Sequence, residues 1–142
     1  MNTAVTFSVC VIFVVLALWH FYMALLPQSG ASGAVPSVGG KPLFKPSRRA
    51  TVGVGVALVM FAGLVAATAG VISIGLPPVV LAWLSYALSV GLLARAVGEF
   101  KYVGFFKRVR GTKFATLDSL VYSPLCLLLG MGVAAVALHN GA

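Results

Sequence analysis

Glu99 and Asp118 are the only two acids in this chain, and both lie in RAVGEFKYVGFFKRVRGTKFATLDS, the segment from Arg95 to Ser119. The same segment holds Arg95, Lys101, Lys107, Arg108, Arg110 and Lys113, six of the ten basic residues. Two chemistries fit these residue types. In the first, His20, Glu99, Asp118 and Tyr122 transfer protons while Arg95, Lys107 and Arg108 hold an anionic head group. Acid–base work of this kind needs close approach of the groups, which spacing alone does not show. In the second, the charges are structural. Arg95 and Glu99 are four residues apart, neighbours on one helical face, so Arg95 pairs with Glu99 or with Asp118. Lys101, Lys107, Arg108, Arg110 and Lys113 then reach outward to anionic lipid or to a membrane partner.

Other motifs narrow the choice. The chain has no phosphate-binding loop, no nucleophile elbow and no H-E-x-x-H. Neither C-x-x-C nor zinc-type spacing occurs. Cys10 and Cys126 fall at depths that differ by roughly 15 Å at a rise of 1.5 Å per residue, too far for a disulfide. His20 and His139 belong at opposite membrane faces, so one chain cannot offer bis-His haem ligation. Neither a metal nor a cofactor is expected. By the same rise His20 and Cys126 each lie about 9 Å inside the boundary nearest the charged segment. Tyr122, Tyr86 and Ser89 fall in that half as well. His20, Tyr86, Ser89, Tyr122 and Cys126 would then make a polar layer opening toward the charges, and ionisable groups inside a membrane are candidate functional sites. His20 stands between Trp19 and Tyr22, so it also fits an interfacial aromatic belt.

The elements that must position these residues follow from composition. Of 142 residues, 61% are hydrophobic and 8% charged, and mean hydropathy is +1.08. A soluble domain carries about 25% charged residues; this chain cannot cover a water-facing surface, and its solvent is a bilayer. The length suits one domain. Four apolar spans are expected, at about 3–26, 50–74, 78–95 and 120–139. Backbone groups in lipid must pair internally, so the spans are helices and the fold class is an all-α, four-helix transmembrane bundle. The first span lacks a basic leader and is too long for a signal-peptide core, so it reads as a retained helix. Pro77 and Pro78 mark the turn into the third span. Asp118 and Ser119 read as N-cap residues of the fourth.

All ten cations fall in two of the three connections: Lys41, Lys45, Arg48 and Arg49 in the first, and the six already named in the third. The positive-inside rule then places loops 27–49 and 96–119 in the cytoplasm, with both termini outside. The bias is too one-sided for dual topology. A net charge of +8 would suit nucleic acid, but cations flanking apolar spans are orientation signals and contacts to anionic lipid rather than a soluble nucleic-acid face. Phe100, Val103, Phe106 and Val109 recur every third residue, which fits either a short amphipathic helix in the interface or a loop covering the helix ends. PQSGASGAVPSVGGKPLFKP, rich in Gly, Pro and Ser, should lack regular structure, with Leu43 and Phe44 near the interface. Gly53 with Ala57, Gly63 with Ala67, Ala66 with Gly70 and Gly130 with Ala134 allow close helix approach, within one bundle or between copies of the chain.

RAVGEFKYVGFFKRVRGTKFATLDSLVYSPLCLLLG resembles the signature region of a bacterial membrane-protein family known as domain of unknown function 3995. His20-Phe21-Tyr22 and AVPS…GGKPLFKP are similar to its other two blocks. The matching positions are His20, Tyr22, Pro36, Gly40, Pro42, Phe44, Arg95, Gly98, Tyr102, Lys107, Arg108, Gly111, Asp118, Tyr122, Ser123 and Pro124. Met23 stands where a Trp is usual, LPQSGAS replaces a Gly-Gly and Trp-Gly segment, and Glu99 replaces an Asp. The resemblance implies a small four-helix protein of the bacterial inner (plasma) membrane and no established activity. Three functions remain in view: a non-enzymatic accessory module contacting anionic lipid, another membrane protein or itself; an enzyme acting on a lipid or isoprenoid-like substrate at the cytoplasmic leaflet; and a small oligomeric transporter, for which four helices are few and no acid lies within a span.

Overall fold

A computed structural model describes residues 2–26 and 34–140. Its long helices are α1 (Asn2–Leu25), α2 (Arg48–Thr68), α3 (Pro78–Val97) and the run Lys113–Asn140. That last run is made of α4 (Lys113–Leu117), a π-helical turn (Asp118–Tyr122) and α5 (Ser123–Asn140). All four are long and apolar enough to cross a membrane, so the protein is a multi-pass membrane protein.

The ends of the helices have local causes. Ser47 caps α2, its Oγ accepting the Ala50 N–H at 3.1 Å. The expected second span ran to Ile74, but α2 stops at Thr68. Gly70, at φ 73°, takes the left-handed position, and the Gly70 and Val71 N–H groups donate to the Ala67 and Ala66 carbonyls. This double bond pattern is a Schellman stop. Pro78 opens α3 at a position where its missing N–H costs nothing. The fourth span begins earlier than expected. Thr112, not Asp118 or Ser119, is the N-cap, and its Oγ1 accepts the Ala115 N–H at 3.0 Å. The π turn lies just before Pro124, which lacks an N–H and whose ring would strike the carbonyl of Leu120 in a regular helix. The wider turn, in which the Ser123 N–H reaches the Asp118 carbonyl, avoids that collision.

Helices α1 and α2 form one antiparallel hairpin, and α3 and α5 another. Phe13 meets Phe61 edge-on at 5.9 Å, within a core of Val9, Phe13, Ala62, Val65, Leu129, Val133 and Val136. The Ser89 Oγ donates to the Gly130 carbonyl at 2.7 Å, and Thr68 and Ser85 share a buried bond at 2.8 Å. Lipid is as apolar as these side chains, so van der Waals fit and such bonds, averaging about 0.6 kcal/mol each, hold the helices together. Of the small residues, Gly130 receives the Leu93 side chain, and Gly55 receives the Phe21 ring. Gly53 and Gly63 face open space. The first connection was expected to lack regular structure. Within its described part, Ser37–Val38 pairs with Lys41–Pro42 around Gly39-Gly40, whose φ values of 59° and 77° make a two-residue hairpin turn. Residues 27–33 of that stretch lie outside the described residues.

The third connection is not a helix. Gly98 and Gly104 cross backbone against backbone, at φ 87° and 92°. A Cβ on Gly98 would collide with the Val103 carbonyl, and one on Gly104 with the Val97 carbonyl. The Phe105 N–H donates to the Ala96 carbonyl at 2.9 Å, the Arg108 N–H to Phe100 at 3.2 Å and the Val109 N–H to Lys101 at 2.9 Å. The segment folds back over the end of α3 and covers it. Gly104→Ala should therefore cost about 3 kcal/mol or more, combining backbone strain with the collision. Gly53→Ala, in open space, should be neutral or mildly stabilising. Denaturant unfolding in micelles distinguishes the two.

Candidate functional site

The first and third connections meet the bundle at the same end. There the side chain of Asp118 is completely buried. Its Oδ1 accepts from Arg95 Nη2 at 2.9 Å. Its Oδ2 accepts from Lys107 Nζ at 3.0 Å and from the Gly104 N–H at 2.7 Å. Lys107 is itself buried and donates further to the Gly104 carbonyl at 3.0 Å and to Ser119 Oγ at 2.6 Å. An ammonium has three donors, and all three are used. The carboxylate thus joins α3, the loop and the start of the fourth span. Burying an ion costs several kcal/mol and is repaid only by close, fully bonded partners. Asp118 and Lys107 meet that condition together. Arg95 is 36% exposed, so solvent screens its share.

The node settles where several expected site residues go. Of the two partners open to Arg95, Asp118 is the one bonded. Glu99 is exposed, and its Oε1 accepts the Tyr102 N–H at 3.2 Å. Lys107, expected to reach outward with the other cations, points inward instead: the partly exposed Arg95 bonds only Oδ1, and Lys107 gives Oδ2 a counter-charge as buried as the carboxylate itself. Lys101, Arg108, Arg110 and Lys113 are exposed, and Lys101 Nζ sits 5.0 Å above the Tyr102 ring.

Two members of the expected polar layer, Tyr122 and Cys126, lie within electrostatic reach of Asp118; His20, Tyr86 and Ser89 have other neighbours. His20 Nδ1 lies 2.7 Å from the Leu16 carbonyl of its own helix. A carbonyl only accepts, so Nδ1 carries the proton. Ser89 is bonded to Gly130 of α5. The Tyr86 ring meets Trp83 at 6.1 Å, and the Tyr122 ring meets Phe114 at 5.9 Å. Cys10 and Cys126 are free thiols, and Cys10 Sγ donates to the Ala62 carbonyl at 3.5 Å. Among the described residues, no three His, Cys, Asp or Glu side chains gather as a metal site would require. An apolar groove between α1 and α5, lined by Val5, Ser8, Val9, Ile12, Leu129 and Gly132 among others, contains no titratable group.

Sequence reasoning missed the inward turn of Lys107 and the parts played by Gly104 and Ser119. The usable signal was Asp118 itself: an acid at the edge of an apolar span needs a partner as buried as it is. Asp118→Asn leaves Lys107 buried without its counter-charge and should cost about 3–5 kcal/mol. Combining it with Lys107→Met should cost less than the sum of the single changes, with a coupling of about 0.5–3 kcal/mol in a double-mutant cycle. Unfolding in micelles reads both.

Comparison with curated proteins and with solved structures finds no match. A family model described as a protein of unknown function (DUF3995) matches residues 13–133. That range runs from the middle of α1 to the middle of α5 and includes Arg95, Gly104, Lys107 and Asp118. The chain belongs to the DUF3995 family.

Proposed function

We propose that the protein is a non-enzymatic accessory module of the bacterial inner membrane whose basic end faces the cytoplasm and holds anionic lipid. The placement of charge carries this reading. Arg95 and Lys107 are bound to Asp118. The other eight cations are exposed at one end of the bundle: Lys41 and Lys45 in the first connection, Arg48 and Arg49 in the first turn of α2, Lys101, Arg108 and Arg110 in the third connection, and Lys113 at the start of α4. The connection between α2 and α3 carries no charge. Positive-inside bias favours a cytoplasmic position for such an end, where anionic headgroups attract each Lys or Arg by about 1 kcal/mol. Acid–base chemistry has less to draw on: Asp118 is consumed by two cations, Glu99 is in solvent, and His20 is bonded within its own helix.

Native mass spectrometry of the protein released from nanodiscs of mixed phosphatidylcholine and phosphatidylglycerol tests this. Wild type should retain phosphatidylglycerol preferentially. Changing Lys101, Arg108 and Arg110 to Gln should lower that preference by up to roughly fivefold per charge at low salt. Equal lipid content in the two proteins would contradict the reading.

A further inference from the structure

Phe100 is the one described residue other than glycine with positive φ, at 65°. A bulky aromatic is a poor occupant of the left-handed region, which suits Gly or Asn. The strained residue does not fill the core: Phe100 is 55% exposed. Phe106 is 63% exposed, and the two rings pack against each other with centroids 6.4 Å apart. Beneath them the loop is fixed. The Arg108 N–H is bonded to the Phe100 carbonyl, and the Val109 N–H to that of Lys101. Lys107, one residue from Phe106, is bound to Asp118. A rigid loop therefore projects a pair of apolar rings that it does not use internally. Lys101 follows one ring directly, and Arg108 and Arg110 follow the other; all three are exposed.

We propose that the loop from Gly98 to Thr112 sets the Phe100–Phe106 pair into the boundary between headgroups and acyl chains of the leaflet it faces, as a wedge whose flanking cations grip anionic headgroups. The inference rests on the reading above for the lipid that those cations meet. Two observations choose the lipid surface over other occupants. The rings stand three and nine residues beyond Val97, on a loop bonded back to the end of a helix long and apolar enough to span a membrane. Their exposed charged neighbours are all cations except Glu99, which complements an anionic leaflet. Apolar rings flanked by Lys and Arg are the composition of interfacial anchors, and half-exposed rings gain by leaving water.

Depth-dependent fluorescence quenching tests the wedge on the full chain in nanodiscs. In a Trp19→Phe/Trp83→Phe background, Phe106→Trp supplies one indole. Phosphatidylcholine brominated at shallow or deep acyl positions is mixed with phosphatidylglycerol. The expected result is blue-shifted emission quenched at least twofold more by shallow than by deep bromines. Water-like emission that no bromine quenches would overturn the proposal, including the case in which the rings instead meet a protein partner. Phe100→Gly, added to the same chain, relieves the backbone and removes the ring. The unfolding midpoint should hold or rise while quenching falls. If quenching is unchanged, the paired-ring wedge is wrong. The charge reading fails separately. Quenching that survives in pure phosphatidylcholine, with no preference for phosphatidylglycerol in mass spectrometry, keeps the wedge and removes the anionic grip. A phosphatidylglycerol preference without quenching does the reverse.

Discussion

One carboxylate organises the charged end of this protein. Asp118 is fully buried at the start of a membrane span, where an unpaired charge would be prohibitively costly. Its requirement for partners draws in Lys107 from the loop and Arg95 from α3. It also fixes the Gly104 N–H at 2.7 Å. Once these are in place, the loop can run only where Gly98 and Gly104 let the backbone cross. The remaining cations are then left on the outside, because the inside is occupied.

The fourth span is built to deliver that carboxylate. Pro124 removes a donor from the helix and forces a wider turn upstream. A five-residue turn brings Asp118 onto the buried face of Ser123, both completely enclosed. A turn of 3.6 residues would bring Ser119 there instead. Wide turns of this kind recur where a helix carries a special residue. Deeper in the bundle Ser89, Gly130 and Leu93 lock α3 to α5, so Arg95 and Asp118 meet with little left to adjust. Packing in the bilayer and charge pairing at its edge are thus two ends of one helix pair.

Much of this was legible in the chain. Apolar run length located four spans, and Pro77-Pro78 marked the start of α3 to the residue. Arg95 with Asp118 was one of two pairings that the spacing allowed. Gly70 as a helix stop lay in plain view, but the apolar run continuing through Val71 and Ile72 masked it. In a membrane chain, hydropathy reports the solvent around a segment and not its backbone conformation. Lys107 was misread for a related reason. Its neighbours Phe106 and Arg108 are both exposed, and a regular three-residue spacing suggested one outward face. The irregular path set by Gly98, Phe100 and Gly104 breaks that period, and no periodic pattern describes a loop held by bonds eleven residues apart.

The functional reading depends on the loop being a fixed platform and not a mobile basic tail. Amide hydrogen exchange in lipid nanodiscs addresses that directly. The Gly104, Phe105 and Val109 N–H groups should exchange as slowly as those of the adjacent helix ends. Asp118→Asn should release them while the amides of α1 and α2 keep their protection. Rapid exchange of these three amides in the wild-type protein would contradict the account, because the carboxylate would then be organising nothing.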